Sequence, residues 1–149
     1  MNDINLFHLS IPAIDLERTE RWYSEVLGCQ PGRRSAQAVI LNLGGHQLVA
    51  QHKGEYLGDS QKGIYPRHFG LVFDSLESWQ ALRERVMAAG VGFAVAPKCR
   101  YRGTVLEHWT FFLRDPSDNW LEFKHYRNSE AVLGCSEHGS VGEAGSGDG

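Results

Sequence analysis

The apolar positions along the chain switch between two periods, and each switch marks an element. Phe7-His8-Leu9-Ser10-Ile11 is an apolar run of strand length, and Asp15 behind it stands where a helix N-cap is expected. Leu16, Thr19, Trp22, Tyr23, Val26 and Leu27 then recur at helical spacing, and Gly28 follows where a terminating glycine belongs. Three strand-like runs come next: Gln30–Arg34, Ala36–Leu43 and His46–His52, the last two joined by the hairpin signal Gly44-Gly45. The order then repeats. Arg67–Phe73 reads as a strand, and Asp74 lies three residues before Glu77 in a capping-box pattern. Leu76, Trp79, Leu82, Val86 and Met87 make an apolar helix face that Gly90 ends. Gly92–Ala96, Trp109–Leu113 and Asn119–Tyr126 follow as strands, with turn chemistry at Asp115-Pro116-Ser117-Asp118. Lys98–Gly103 reads as a loop or an irregular strand extension.

His8 and His68 hold equivalent places in these two stretches and stand 60 positions apart. A repeat of that length signals duplicated supersecondary units. The fold class expected is α+β, with two tandem βαβββ modules at about 4–53 and 66–127 inside one domain, 1–128.

Composition narrows the field. The 149 residues carry 42% hydrophobic side chains, enough for one core that encloses a pocket. A net charge of −3 opposes a nucleic-acid footprint, and no apolar run approaches the roughly 18 residues of a membrane span. Met1–Ile4 lacks the features of a signal peptide, and Cys29, Cys99 and Cys135 form no metal or disulfide framework. A cytoplasmic protein with reduced thiols is expected. Residues 129–149 read as a disordered tail, because Gly134–Gly149 holds six glycines and one β-branched apolar residue. Cys135 and His138 are therefore expected in solvent.

Glu122 is the unusual charge, set between Leu121 and Phe123 in the last strand. Strand alternation puts it on the face away from those two, with Lys124 and Trp120 beside it. Two histidines and a carboxylate can hold a divalent ion and leave positions open. If the modules pack about a pseudo-two-fold axis, His8 and His68 converge, and Glu122 completes a triad.

Several runs resemble the vicinal oxygen chelate superfamily, which includes glyoxalases, bleomycin-resistance proteins and extradiol dioxygenases. They are Phe7-His8-Leu9-Ser10-Ile11-Pro12, Arg21–Cys29, Pro66–Gly70 and Phe111–Lys124, and the likeness spans residues 4 to about 127. Gly45–Ala50 and Arg100–Gly103 look closest to small proteins described as extradiol-type dioxygenases. The resemblance implies a curved mixed sheet around a metal-binding cleft. It implies His8, His68 and Glu122 as the ligands of a divalent metal, with Fe(II) first and Mn(II), Ni(II) or Zn(II) as alternatives. At the fourth family position this chain has Val49, which cannot ligate; that departs from glyoxalase I and suits a three-ligand site.

The expected activity is oxidative cleavage of a catecholic or vicinal-oxygen small molecule with O₂. A non-redox lyase, isomerase or thiol transferase on the same triad is the alternative, and a non-catalytic resistance-type binding module is another. Tyr101 and His108 are the candidate acid/base residues, with His52 behind them. Gln47, Arg100, Arg102 and Lys124 are the candidate substrate contacts, the arginines for an anionic group. A homodimer is expected, with no nucleic-acid or membrane partner.

Overall fold

In the computed structural model the described residues are 5–54 and 61–141. The expectations for Met1–Ile4 and for 142–149 fall outside them. The first module runs β1 (His8–Ala13), α1 (Leu16–Glu25), β2 (Gln30–Arg34), β3 (Ala38–Leu43) and β4 (His46–His52). The second runs β5 (Phe69–Phe73), α2 (Leu76–Ala88), β6 (Val95–Arg100), β7 (His108–Arg114) and β8 (Trp120–Tyr126), followed by a 3₁₀ turn at Ser129–Ala131. Each module forms a four-stranded mixed sheet, in the orders β1-β4-β3-β2 and β5-β8-β7-β6. Among the described residues the parallel pairs are β1 with β4 and β5 with β8, so the last strand of each module lies beside its first. Among the described residues no helix is long and apolar enough to cross a membrane.

The helices form for the reasons the sequence offers. Asp15 caps α1 by accepting from the Arg18 N–H at 3.0 Å. Gly28, at φ +75°, lets the chain reverse so that the Cys29 N–H reaches back to the Tyr23 carbonyl at 3.0 Å. Leu16, Thr19, Tyr23 and Val26 are buried against the first sheet.

Three details of the second module differ from the sequence-based expectation. The N-cap of α2 is Ser75, not Asp74: Ser75 is extended and its hydroxyl accepts from the Ser78 N–H at 3.1 Å, which leaves Asp74 one residue outside. Met87 is 60% exposed, because one residue past buried Val86 the helix has turned about 100° away from the sheet. The strand expected at Gly92–Ala96 is Val95–Arg100 instead. Pro97 offers no N–H to the ladder, and the register shifts between Val95 and Lys98 before pairing resumes at Lys98 with Thr110.

One apolar core spans both modules, from Tyr23, Val39 and Leu48 to Trp79, Phe111 and Phe123. A polar latch reinforces it. Asp115 Oδ2 accepts from Tyr23 Oη at 2.8 Å, Asn119 Nδ2 donates to the Pro12 carbonyl at 3.0 Å, and the Ile14 N–H donates to Ser117 Oγ at 2.9 Å.

Candidate functional site

The period of two in β7 and β8 decides which side chains can do chemistry. Leu121 and Phe123 face the helix-side core, as do Phe111 and Leu113, so Glu122, Lys124, Tyr126, His108, Thr110 and Phe112 turn to the opposite face. That face, with the segment leading into β5, lines a cavity of about 480 Å³.

At its floor His68 Nε2 lies 3.2 Å from Glu122 Oε1. Each member of this pair is held from behind. His68 Nδ1 donates to the Ile64 carbonyl at 2.6 Å, since a carbonyl only accepts, and this fixes the ring with Nε2 turned to Glu122. Nε2 carries a proton when it donates to that carboxylate and offers a lone pair once that proton is lost. Thr110 donates to Glu122 Oε2 at 2.6 Å, and Lys124 Nζ stands 3.8 Å from Oε1. The hydrogen bond with Glu122 raises the His68 pKa, against the opposing effect of burial. Burial pushes the Glu122 carboxyl up, but His68, Lys124 and Thr110 together outweigh it and the net shift is downward. The carboxylate is thus ionised at neutral pH although its side chain is only 13% exposed.

His108 also borders the cavity. Its Nδ1 donates to the Leu106 carbonyl at 2.9 Å, which in the neutral ring leaves Nε2 as an acceptor. Burial lowers its pKa, with Lys124 and Arg100 adding to the effect, so the ring is neutral. It lies between two phenols, with ring centroids 4.7 Å from Tyr126 and 5.9 Å from Tyr101. Arg100 is buried, its guanidinium 5.4 Å from the Tyr101 ring centre, and Lys124 Nζ is 5.3 Å from that of Tyr126.

The structure therefore gathers His68, Glu122, Tyr101, His108, Arg100 and Lys124 at one cavity. It does not bring His8, Gln47 or Arg102 there. His8 is exposed on β1, its Nδ1 2.8 Å from Gln47 Oε1, and Arg102 is exposed in the turn after β6. His52 borders a different hollow, beside Arg34 and Asp15. Thr110 and Tyr126 are site residues that the sequence alone did not single out. Thr110 had a signal, since it shares the parity of His108 and Phe112 in its strand.

The segment expected to be a solvated tail also reaches the cavity. Nearly half of the described lining residues come from 131–141, Cys135 and His138 among them.

The donor set suits a divalent ion in part. An imidazole whose Nδ1 is hydrogen-bonded to a carbonyl, beside a carboxylate fixed by a hydroxyl, is oriented as metal ligands are in proteins, and an ion would take Nε2 in place of its proton. Among the described residues, however, no three His, Cys, Asp or Glu side chains are grouped to hold an ion. His68 and Glu122 stand together as a pair of donors, with no third such side chain grouped beside them among the described residues.

Comparison with known proteins fits this architecture. The chain is 36% identical to a glyoxalase/bleomycin resistance protein/dioxygenase from Alicyclobacillus acidocaldarius, over 89% of this chain and 99% of that one, with a TM-score of 0.81. It shares its fold with the fosfomycin resistance protein FosX from Listeria monocytogenes, at 18% identity over 87% and 98% of the two chains and a TM-score of 0.64. A lactoylglutathione lyase from Agrobacterium tumefaciens has the same fold, at 17% identity over 84% and 96% and a TM-score of 0.62. The family pattern itself matches residues 5–123, which takes in both modules, and the chain belongs to the Glyoxalase/Bleomycin resistance protein/Dioxygenase superfamily.

Proposed function

We propose that this chain is a divalent-metal enzyme acting on an anionic small molecule with two adjacent oxygens, and that the ion is held by His68, Glu122 and the His8 of a second copy. The observation that carries it is the His68–Glu122 pair, 3.2 Å apart and pinned from behind on both sides, facing a cavity. A divalent ion there supplies Lewis acidity and open positions for two adjacent oxygens and, if it is Fe(II), for O₂.

The rest falls to the chain's own side chains. Neutral His108 accepts a proton from the substrate hydroxyl at Nε2, and the carbonyl of Leu106 holds the ring in the tautomer that can do so. Lys124 and Arg100 attract the acid group, while Tyr101, Tyr126 and Phe112 give an aromatic ring an apolar wall. Thr110 keeps Glu122 from rotating out of the floor. Ring-opening dioxygenation is the finer reading, with Fe(II) as the metal. Lyase, isomerase or thiol-transfer chemistry on the same ligands is the alternative.

The test is elemental analysis of untagged protein purified without oxygen, wild type beside Glu122→Ala. About one metal per chain, lost in the variant, is the expected result, and metal retained in the variant overturns the assignment. Iron leads to O₂ uptake with a panel of catechols; manganese, nickel or zinc moves the reading to the non-redox alternatives. No metal after Fe(II), Mn(II) or Zn(II) is supplied leaves the cavity as a binding pocket.

The third ligand has its own test. His8 is exposed and outside the cavity, so a copy that lacks His8 and a copy that lacks Glu122 are each metal-free. Unfolded and refolded together, His8→Ala and Glu122→Ala chains regain one intact site per mixed pair. No recovery in the mixture overturns the shared site.

A further inference from the structure

The residues after β8 border the cavity without being built into the sheet. Their shape comes from local bonds. Asn128 accepts from the Glu130 N–H at 3.2 Å and donates to Cys135 Sγ at 3.9 Å, and the Gly134 N–H donates to the Glu130 carbonyl at 2.8 Å. A side chain at Gly134 would come within 2.9 Å of that carbonyl, and Cys135 takes the left-handed conformation at φ +56°. Two successive residues thus fold the segment back on itself. Its apolar side chains are not yet covered. Val132, Leu133 and Val141 all line the cavity, yet Leu133 is 97% exposed and the other two are also open to solvent. A wall that borders a cavity and leaves its hydrophobic groups in water has apolar surface still to bury.

We infer that residues 129–141 are a hinged wall of the binding site, which closes on a bound aromatic ligand by laying Val132 and Leu133 against it. The hinge is at Asn128–Ser129, two to three residues beyond Tyr126, where β8 ends and local turns take over. The inference rests on the proposed metal and vicinal-oxygen reading for the chemistry of the ligand. It assigns ligand contact to a stretch whose glycine content argues only for solvation. Closure excludes water from the His68–Glu122 floor, and the length of the strap sets how large a substituent the ring can carry.

Cys135 is the reporter, because it lines the cavity and is half-exposed, whereas Cys29 and Cys99 are buried and burial pushes the Cys29 thiol up to about 11. The full chain is loaded with Mn(II), followed by calorimetry, and then with 4-nitrocatechol without oxygen, followed by absorbance. Maleimide labelling of Cys135 is read by mass spectrometry in both states. Labelling slowed by about tenfold or more on adding nitrocatechol is expected. The doubly substituted Val132→Ser, Leu133→Ser chain is expected to bind Mn(II) as before and to release nitrocatechol about tenfold faster, from the apolar burial it forgoes. Unchanged labelling in the nitrocatechol complex, or an unchanged release rate in the double variant, overturns the hinged wall and leaves the metal reading standing. Mn(II) bound without nitrocatechol also overturns it, since no such ligand is there to close upon. No Mn(II) bound overturns the metal reading and the wall together.

Discussion

Asp115→Ala is expected to lower folding stability by about 3 kcal/mol or more, seen as a fall in the urea midpoint at unchanged slope. The residue directly follows β7 and is buried, yet every part of its carboxyl group is occupied. Oδ1 accepts from the backbone N–H groups of Ser117 and Asn119 at 2.8 and 2.9 Å. Oδ2 accepts from Tyr23 Oη and Asn119 Nδ2, both at 2.8 Å. Truncation strands four donors at once, one of them from the other module. Burial raises the Asp115 pKa although these four donors pull it down, so the charge itself is held at some cost. For that reason Asp115→Asn is expected to lose only about half as much: its amide oxygen still serves the two backbone donors, and the Tyr23 hydroxyl can turn to accept. A midpoint for Asp115→Ala within about 1 kcal/mol of wild type would show that water replaces the carboxylate and that the latch is not structural.

Gly70→Ala is the second large effect expected. Gly70 pairs with Glu122 across the parallel β5–β8 ladder, and a methyl group on it would overlap the Glu122 carbonyl oxygen and sit 2.7 Å from its carbonyl carbon. Both obstacles are backbone, so relief requires the strands to separate. Overpacking of this kind costs about 3 kcal/mol. It also moves the one residue on β8 whose position the proposed metal site depends on, so melting temperature and metal content should fall together. The corresponding position of the first module is Ser10 opposite Val49, where an ordinary side chain is accommodated. A variant that melts like wild type and keeps its metal would show that β5 and β8 can part here at no cost.

Much of this arrangement is legible in the sequence because it depends on local chemistry and on period. Asp15 and Gly28 mark the ends of α1 by capping and by left-handed geometry, which act within a few residues. The alternation in Trp120–Tyr126 is enough to put Glu122 and Lys124 on one face, and both do line the cavity. What fails to show is relational. β6 lies further along the chain than its apolar run because Pro97 disturbs its pairing with β7, and a ladder irregularity has no signature in one strand alone. His8 occupies the same position in its module as His68, and the repeat makes this visible. Equivalent positions within two sheets do not say which modules face each other, so convergence within one chain does not follow. Thr110 matters only because its register partner is Lys124 and its hydroxyl reaches Glu122. Residues 131–141 look like solvated chain by composition, while the turn at Gly134-Cys135 that folds them back depends on two backbone angles and one hydrogen bond.

The order of strands in each sheet carries a last consequence, for the history of the chain during its synthesis. β8 is the last of the described strands to leave the ribosome and yet occupies an interior place, between β5 and β7. The first strand of the module must therefore wait, unpaired along its inner edge, until more than forty residues later its neighbour arrives. His68 is made early and Glu122 late, so the pair that could grip an ion comes into being with the last closing of the sheet. A truncated product lacking Trp120–Tyr126 holds an isolated imidazole and no carboxylate beside it. On the proposed assignment, a chain that has not yet paired β8 with β5 has only half of its ion-binding pair, and metal capture waits for that ladder to form.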